Sequence, residues 1–136
     1  MPTNIFIVED HEFIREMLGE FLTVEPDFDV CGMAGSGEEA LNVITDANVE
    51  LVLIDTSLPG MSGIDLVREM NERRPALRCL MHSGHGEASY VDQALQAGAW
   101  GYVLKGNPDE LLTAIRHVIC GEKYLSRILT DKRGSS

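Results

Sequence analysis

The feature that most constrains the fold is a regular alternation of short apolar runs with amphipathic segments. Five apolar runs begin about every 25 residues, and the sequence between them has a helical period. The runs are Ile5–Val8, Phe28–Ala34, Leu51–Ile54, Cys79–Met81 and Gly101–Leu104. The first and third lack polar alternation, as strands buried on both faces of a parallel sheet do. Alternating strands and helices predict right-handed crossovers, and therefore an α/β, three-layer (βα)5 sandwich around a five-stranded parallel sheet.

The segments between the runs carry helix start and stop signals. The first has an apolar stripe from Phe13 to Leu22 and has to end at Pro26. The last begins with Asn107 as a helix N-cap and Pro108 at the first helical position. These signals support the assignment of helices between the strands.

Length and composition fit a single globular domain. With 136 residues, of which 44% are hydrophobic, the chain can bury one sizeable core. The sequence turns polar after the last helical segment. We therefore expect one domain over residues 1–125, followed by the start of a linker or a disordered tail over residues 126–136.

Charge and cysteine spacing exclude several classes of protein. A formal net charge of −11 repels a phosphate backbone, so these residues are not expected to bind nucleic acid themselves. The three cysteines lack the spacing of a disulfide framework or a zinc site. No apolar run approaches the ~18 residues that a membrane span requires, and the first residues do not resemble a secretion signal. We expect a cytoplasmic protein that does not contact membranes.

Chemistry is expected where the strands end, because ligands of open parallel sheets bind beyond the carboxyl ends of the strands. The residues at these ends are polar or charged. Glu9 and Asp10 follow the first strand, Asp55 the third, Ser83 the fourth and Lys105 the fifth. Each of them alone could be an ordinary loop residue. Their joint placement at four strand ends favours a single functional pocket.

Three carboxylates in one pocket repel each other unless a cation or protons neutralise them. Oxygen donors without cysteine or clustered histidine suit Mg²⁺ better than zinc. The lysine indicates an anionic group as the second ligand. The set therefore predicts phosphoryl transfer, with Asp55, at the end of the most apolar strand, as a nucleophile that becomes an aspartyl phosphate.

Several segments around these residues resemble the receiver domain of bacterial two-component response regulators. They are Val8–His11, Asp55–Gly63, Ser83 and Ala97–Lys105. The match covers nearly the whole chain in order, and the DxxLPGMSG and GYVLK segments are highly specific. The resemblance implies the flavodoxin-like strand order 2-1-3-4-5.

The resemblance implies a phosphoacceptor and a metal site. Asp55 matches the residue that takes a phosphoryl group from a sensor histidine kinase. Asp10, Asp55 and the backbone carbonyl of Ser57 match the Mg²⁺ ligands, with Glu9 assisting through water. Such a protein is a signalling phosphoacceptor rather than an enzyme, with at most a slow autophosphatase activity.

The resemblance also implies a conformational switch. Lys105 matches the lysine that pairs with the phosphoryl oxygens, and Ser83 matches the hydroxyl that moves in to hydrogen-bond one of them. Tyr102 matches an aromatic side chain that switches between buried and exposed positions. Phosphorylation adds about −1.5 to −2 charge and would shift the population toward the closed arrangement.

The sequence after Gly101 resembles more narrowly the receivers of LuxR-type transcriptional regulators (the NarL/FixJ group). These carry a C-terminal helix-turn-helix domain, absent from this chain, through which DNA would be bound and transcription controlled. The resemblance also implies that a homodimer can form on phosphorylation.

Two alternative functions stay open. They are a stand-alone receiver that acts by protein–protein interaction or phosphorelay, and an aspartate-nucleophile phosphatase. The second is disfavoured because Asp55-Thr56-Ser57 lacks a second aspartate as general acid.

Two residues depart from the family pattern. Trp100 stands where a small polar or acidic residue is usual, and is either a partly exposed aromatic before a strand or a contact for a partner. His85 lies close to Ser83, where it either modulates the access of water to the phosphoryl group or is an ordinary loop residue.

Overall fold

A parallel sheet with helices on both faces forms the protein, as seen in a computed structural model that describes residues 2–44, 48–84 and 86–129. The strands are β1 (Thr3–Val8), β2 (Phe28–Ala34), β3 (Leu51–Asp55), β4 (Arg78–Ser83), β5 (Gly101–Leu104) and β6 (Tyr124–Leu125). The helices are α1 (Glu12–Thr23), α2 (Gly37–Ile44), α3 (Gly63–Arg73), α4 (Ala88–Ala97) and α5 (Pro108–Ile119). The predicted alternation of strands and helices is confirmed.

The strand order is β2-β1-β3-β4-β5-β6, with every neighbouring pair parallel. The first five strands follow the predicted order. The prediction of five strands was incomplete, because β6 adds a sixth. This strand is two residues long, and so short a strand has no periodicity that a sequence pattern could reveal.

Two apolar cores lie on opposite faces of the sheet. One forms between the sheet and α2, α3 and α4, and the other between the sheet and α1 and α5. All five residues of β3 are buried, as its continuous apolar sequence predicts. None of the helices in the described ranges combines the length and hydropathy that a bilayer crossing requires.

Side chains fix the starts of two helices. The Ser62 hydroxyl accepts a hydrogen bond from the Asp65 backbone N–H at the start of α3. The Asn107 side chain accepts one from the Glu110 N–H at the start of α5, as the predicted N-cap should. Gly63 begins α3 against the end of β3, where an added Cβ would collide with the Asp55 carbonyl oxygen. A glycine is needed for this close approach.

The carboxylate of Glu110 holds the chain after α5 against the sheet. It accepts hydrogen bonds from the Tyr124 hydroxyl at 3.0 Å, the Ser126 hydroxyl at 2.8 Å and the Arg127 N–H at 2.9 Å. Burial alone would raise the pKa of Glu110, but these bonds together lower it. The segment that starts at Tyr124 is therefore part of the folded structure.

Ser126 and Leu129 are both buried, although they lie within residues 126–136, beyond the predicted end of the domain. The Ser126 N–H donates to the Tyr102 carbonyl at 3.0 Å, and its hydroxyl accepts from the Leu104 N–H at 2.8 Å. Leu129 packs against the apolar core that contains Tyr102. The residues after β6 thus continue along the edge of β5 as far as the structure describes them.

Candidate functional site

The predicted site residues meet at the carboxyl edge of the sheet. Glu9 and Asp10 follow β1, and Asp55 ends β3, the strand paired with β1. Glu9 is 1% exposed and Asp55 4% exposed, so two carboxylates lie side by side out of contact with bulk water. Such a pair needs a positive charge close by.

Lys105 supplies that charge from the end of β5. Its Nζ lies 3.2 Å from Glu9 Oε1 and 3.4 Å from Asp55 Oδ1. The Lys105 N–H donates to the Ser83 carbonyl at 2.7 Å, which anchors the start of the β5–α5 loop to the end of β4. One ammonium group from the end of β5 therefore bridges the ends of β1 and β3, with β4 lying between β5 and β3.

The ionised form of Glu9 is disfavoured even though Lys105 lies close by. Burial raises the pKa of Glu9, and the neighbouring Asp55 carboxylate raises it further. The His11 N–H and the Lys105 charge act in the opposite direction without cancelling the effect. The site therefore favours a proton or a cation near Glu9.

The donor atoms beside this pair suit a metal ion. One ligand atom each from Glu9, Asp10 and His11 lie within 4.8 Å of one another. Among the described residues, Asp10 Oδ1 is the buried side-chain oxygen without a hydrogen-bond partner, although His11 Nδ1 is 3.3 Å away. An unsatisfied carboxylate oxygen in an acidic cluster is a suitable ligand for a hard cation.

The structure places the other predicted metal ligands close by. Asp55 and Ser57 lie outside the cluster of Glu9, Asp10 and His11, but the Ser57 N–H donates to Asp55 Oδ1 at 3.1 Å and so fixes that carboxylate. His11 was not among the predicted ligands, and its imidazole nitrogen is not one of the oxygen donors that Mg²⁺ prefers.

The predicted switch residues are buried together behind Asp55. Ser83 and Tyr102 are both 0% exposed, and the two side chains are hydrogen-bonded to each other. Ser83 Oγ also lies 2.7 Å from Thr56 Oγ1. Tyr102 thus occupies its buried position. Thr56 was not predicted as a contact of Ser83, because no motif marks it.

His82 lies next to Asp55 in the paired strands β3 and β4. Burial lowers the pKa of His82 to about 4, and the positive charge of Lys105 contributes to this shift. Its imidazole is therefore neutral at physiological pH.

Trp100 lies at the opposite end of β5 from Lys105. Its ring is half-buried and packs under the guanidinium of Arg78, whose Cζ lies 4.8 Å from the ring centroid. Arg78 in turn donates to the carbonyls of Val118 and Ile119 at the end of α5. Trp100 therefore has an intramolecular partner. His85, the other residue that departs from the pattern, lies outside the described residues.

Comparisons with known proteins agree with this arrangement. A family model described as the response regulator receiver domain matches residues 5–116. The transcriptional activator protein ExaE of Pseudomonas putida is 40% identical over 130 residues, which cover 95% of this chain and 61% of ExaE. The nitrate/nitrite response regulator protein NarL of Escherichia coli K12 is 32% identical over 136 residues, covering 99% of this chain and 63% of NarL. The chain thus spans less than two thirds of the length of these relatives.

Solved structures show the same fold. The crystal structure of a LuxR-family two-component response regulator from Aurantimonas sp. SI85-9A1 superposes with a TM-score of 0.92 at 28% identity, covering 96% of this chain and 94% of that one. A CheY-like receiver domain protein from Methanospirillum hungatei JF-1 gives a TM-score of 0.82 at 29% identity, covering 89% and 96% of the two chains.

Proposed function

The chain belongs to the response regulator receiver family, as a receiver of the LuxR type, and we propose from this premise that Asp55 is its phosphoacceptor. The observation that carries the proposal is the position of Lys105 Nζ, 3.4 Å from Asp55 Oδ1 and 3.2 Å from Glu9 Oε1. A cation held over a buried carboxylate is suited to bind the oxygens of an incoming phosphoryl group.

The proposed reaction is transfer from a phosphohistidine of a sensor kinase. An Asp55 carboxylate oxygen forms a bond to phosphorus while the phosphorus–nitrogen bond breaks. The electron pair of that bond stays on the histidine nitrogen, which takes up a proton from water. The hydrogen bond from the Ser57 N–H to Oδ1 holds the carboxylate in place during this exchange.

We propose Mg²⁺ as the cofactor, held by Asp10, Asp55 and the Ser57 carbonyl, with Glu9 assisting through water. The unsatisfied Asp10 Oδ1 and the raised pKa of Glu9 support a cation at this place. When bound, the ion neutralises charge on the transferring phosphoryl oxygens. The carboxylates of this chain would bind and orient it.

The proposed response to phosphorylation is a closure of Ser83 and Lys105 on the new oxygens. Lys105 would exchange its contact with Glu9 for the phosphoryl group, and Ser83 would exchange Thr56 for a phosphoryl oxygen. Because Tyr102 is hydrogen-bonded to Ser83, it would sense this movement. Such a charge-driven rearrangement is a population shift between two states.

The output is proposed to be control of transcription. Relatives that match this chain are named as transcriptional activators and regulators, and it spans 61% of ExaE. We propose that residues 1–125 form the receiver and that residues 126–136, of which Ser126 and Leu129 still pack against it, begin a linker to a helix-turn-helix domain through which DNA is bound. A sensor histidine kinase, a homodimer formed on phosphorylation and a cytoplasmic location belong to the same proposal. Autophosphatase activity is proposed to be slow at most.

Acetyl phosphate with Mg²⁺ tests the phosphoacceptor. We expect the intact mass to show one added phosphoryl group in the wild type, none in Asp55→Asn, and an unchanged adduct in Asp109→Asn, which alters an exposed acid in α5. Chelation of Mg²⁺ should abolish the adduct. An undiminished adduct in Asp55→Asn would overturn the assignment. Steady turnover of a phosphate ester would instead favour the phosphatase.

A further inference from the structure

The imidazole of His11 lies beside the acidic cluster and takes no part in the proposed phosphoryl transfer. His11 is the N-cap residue of α1, but its side chain makes no capping hydrogen bond. Its Nδ1 lies 3.3 Å from Asp10 Oδ1 and 3.5 Å from Glu9 Oε2. One nitrogen and two carboxylate oxygens from consecutive residues therefore lie close together at the carboxyl end of β1.

The contact between the His11 ring and Asp10 is not a hydrogen bond. Asp10 Oδ1 is buried and accepts no hydrogen bond from any described residue, although Nδ1 is within reach. Glu9 Oε2 is held by the His11 backbone N–H at 3.3 Å. Because a buried oxygen normally has a partner, Asp10 Oδ1 is placed for a ligand that the protein does not itself supply.

The spacing of these atoms indicates the type of ion. Ligands about 2.1 Å from a tetrahedral Zn²⁺ lie about 3.4 Å apart, whereas neighbouring ligands of an octahedral Mg²⁺ lie about 3.0 Å apart. The distances of 3.3 and 3.5 Å from His11 Nδ1 are closer to the tetrahedral value. An imidazole nitrogen also suits Zn²⁺, whereas Mg²⁺ takes oxygen ligands.

We propose that Glu9, Asp10 and His11 form a zinc site, completed by water, and that Zn²⁺ bound there inhibits phosphorylation of Asp55. Zn²⁺ and Mg²⁺ would both use the Asp10 carboxylate, and two dications so close together would repel each other. Each ion would therefore oppose binding of the other. The zinc site stands on the geometry of these three residues, whereas the inhibition rests on the proposed phosphorylation.

Titration calorimetry with Zn²⁺ and Mg²⁺ tests the zinc site. Cys31 and Cys120 are replaced by serine in every protein, because their exposed thiols could also bind zinc. We expect the ratio of Zn²⁺ affinity to Mg²⁺ affinity to fall at least about tenfold in His11→Ala, since a nitrogen ligand is lost. His117→Ala makes the same change on a partly exposed part of α5 and should leave the ratio unchanged.

Nuclear magnetic resonance of isotope-labelled histidine identifies the ligand directly. One equivalent of Zn²⁺ should shift the Nδ1 signal of His11 and leave the ring signals of His117 in place. This measurement uses the native His11 and does not depend on the folding of a variant at that position.

The acetyl phosphate adduct measures the inhibition. In the presence of Mg²⁺, half-inhibition of the adduct should require at least about tenfold more Zn²⁺ in His11→Ala than in the chain that keeps His11. His117→Ala should need as much Zn²⁺ as the chain that keeps both histidines.

Three results would overturn the proposal. They are an unchanged affinity ratio in His11→Ala, a His11 Nδ1 signal that does not respond to Zn²⁺, and binding of Zn²⁺ and Mg²⁺ without competition. If the chain forms no adduct even without Zn²⁺, the proposed phosphorylation fails and the inhibition fails with it. Calorimetry and the His11 signal would still decide whether the zinc site exists.

Discussion

The hydroxyl oxygens of Thr56 and Ser83 lie 2.7 Å apart, which links the residue after Asp55 to the last residue of β4. Ser83 is also hydrogen-bonded to Tyr102, and both are fully buried. Polar contacts therefore lead from Thr56, the residue after the candidate phosphoacceptor, through Ser83 to Tyr102 on β5. In the proposed closure, Ser83 would exchange this contact with Thr56 for one with a phosphoryl oxygen.

Replacing Thr56 with valine should destabilise the protein by about 1 kcal/mol, because the variant loses a partly buried hydrogen bond. Urea unfolding measures the change. In a double-mutant cycle with Ser83→Ala, the two substitutions should be coupled by about 1 kcal/mol. Additive effects would mean that the contact contributes nothing to stability.

Replacing Lys105 with methionine should strengthen Mg²⁺ binding by about fivefold, since a positive charge 3.4 Å from Asp55 is removed. The same variant should form the acetyl phosphate adduct more slowly, because it cannot pair with the phosphoryl oxygens. Isothermal titration and intact mass measure the two effects. Lys123→Met, at an exposed position, is the control and should alter neither. Weaker Mg²⁺ binding in Lys105→Met would contradict this account of the site.

Replacing Glu9 with glutamine should stabilise the protein at neutral pH in the absence of divalent cations. Burial and Asp55 raise the pKa of Glu9, so its ionised form costs stability above that pKa. This cost diminishes as the pH falls below the raised pKa and is gone below the ordinary glutamate pKa of 4.5, where the variant and the wild type should become equally stable. Urea unfolding across this range, with the exposed Glu20→Gln as control, measures the difference. A stability difference between Glu9→Gln and the wild type that grew toward acid pH would contradict this prediction.

Replacing Glu110 with alanine should release the segment after α5, because three hydrogen bonds to its carboxylate are lost. We expect at least about tenfold faster hydrogen exchange at the Arg127 amide and a loss of about 1 to 2 kcal/mol in stability. Asp109→Ala removes the neighbouring acid of the same helix turn and should leave exchange at Arg127 unchanged. Equal protection in both variants would show that the carboxylate does not hold the segment.

The strands could be located from the sequence because burial on both faces of a sheet demands continuous apolar residues. β2 and β5 have the predicted bounds. The predicted run at Cys79–Met81 was too short, since β4 continues through His82 and Ser83. These two side chains are polar yet buried, and a hydrophobic pattern cannot distinguish them from loop residues.

From the sequence, the candidate site could be predicted only as the set of residues that follow the carboxyl ends of the strands. Parallel strands bring Glu9, Asp55 and Lys105 to one edge whatever their side-chain conformations are. The contact between Thr56 and Ser83 depends instead on two rotamers. Likewise, β6 is held by long-range contacts with Glu110, which no local pattern encodes.

Ser126, the residue that follows β6, connects β5 to the chain that leaves the sheet. The Tyr102 carbonyl and the Leu104 N–H are both bonded to Ser126, so a displacement of β5 is carried directly to the chain that leaves the sheet. In the reverse direction, a displacement of Ser126 would act on the strand that ends beside Lys105, so the position of the chain after β6 and the geometry of the carboxylate pocket are coupled through β5.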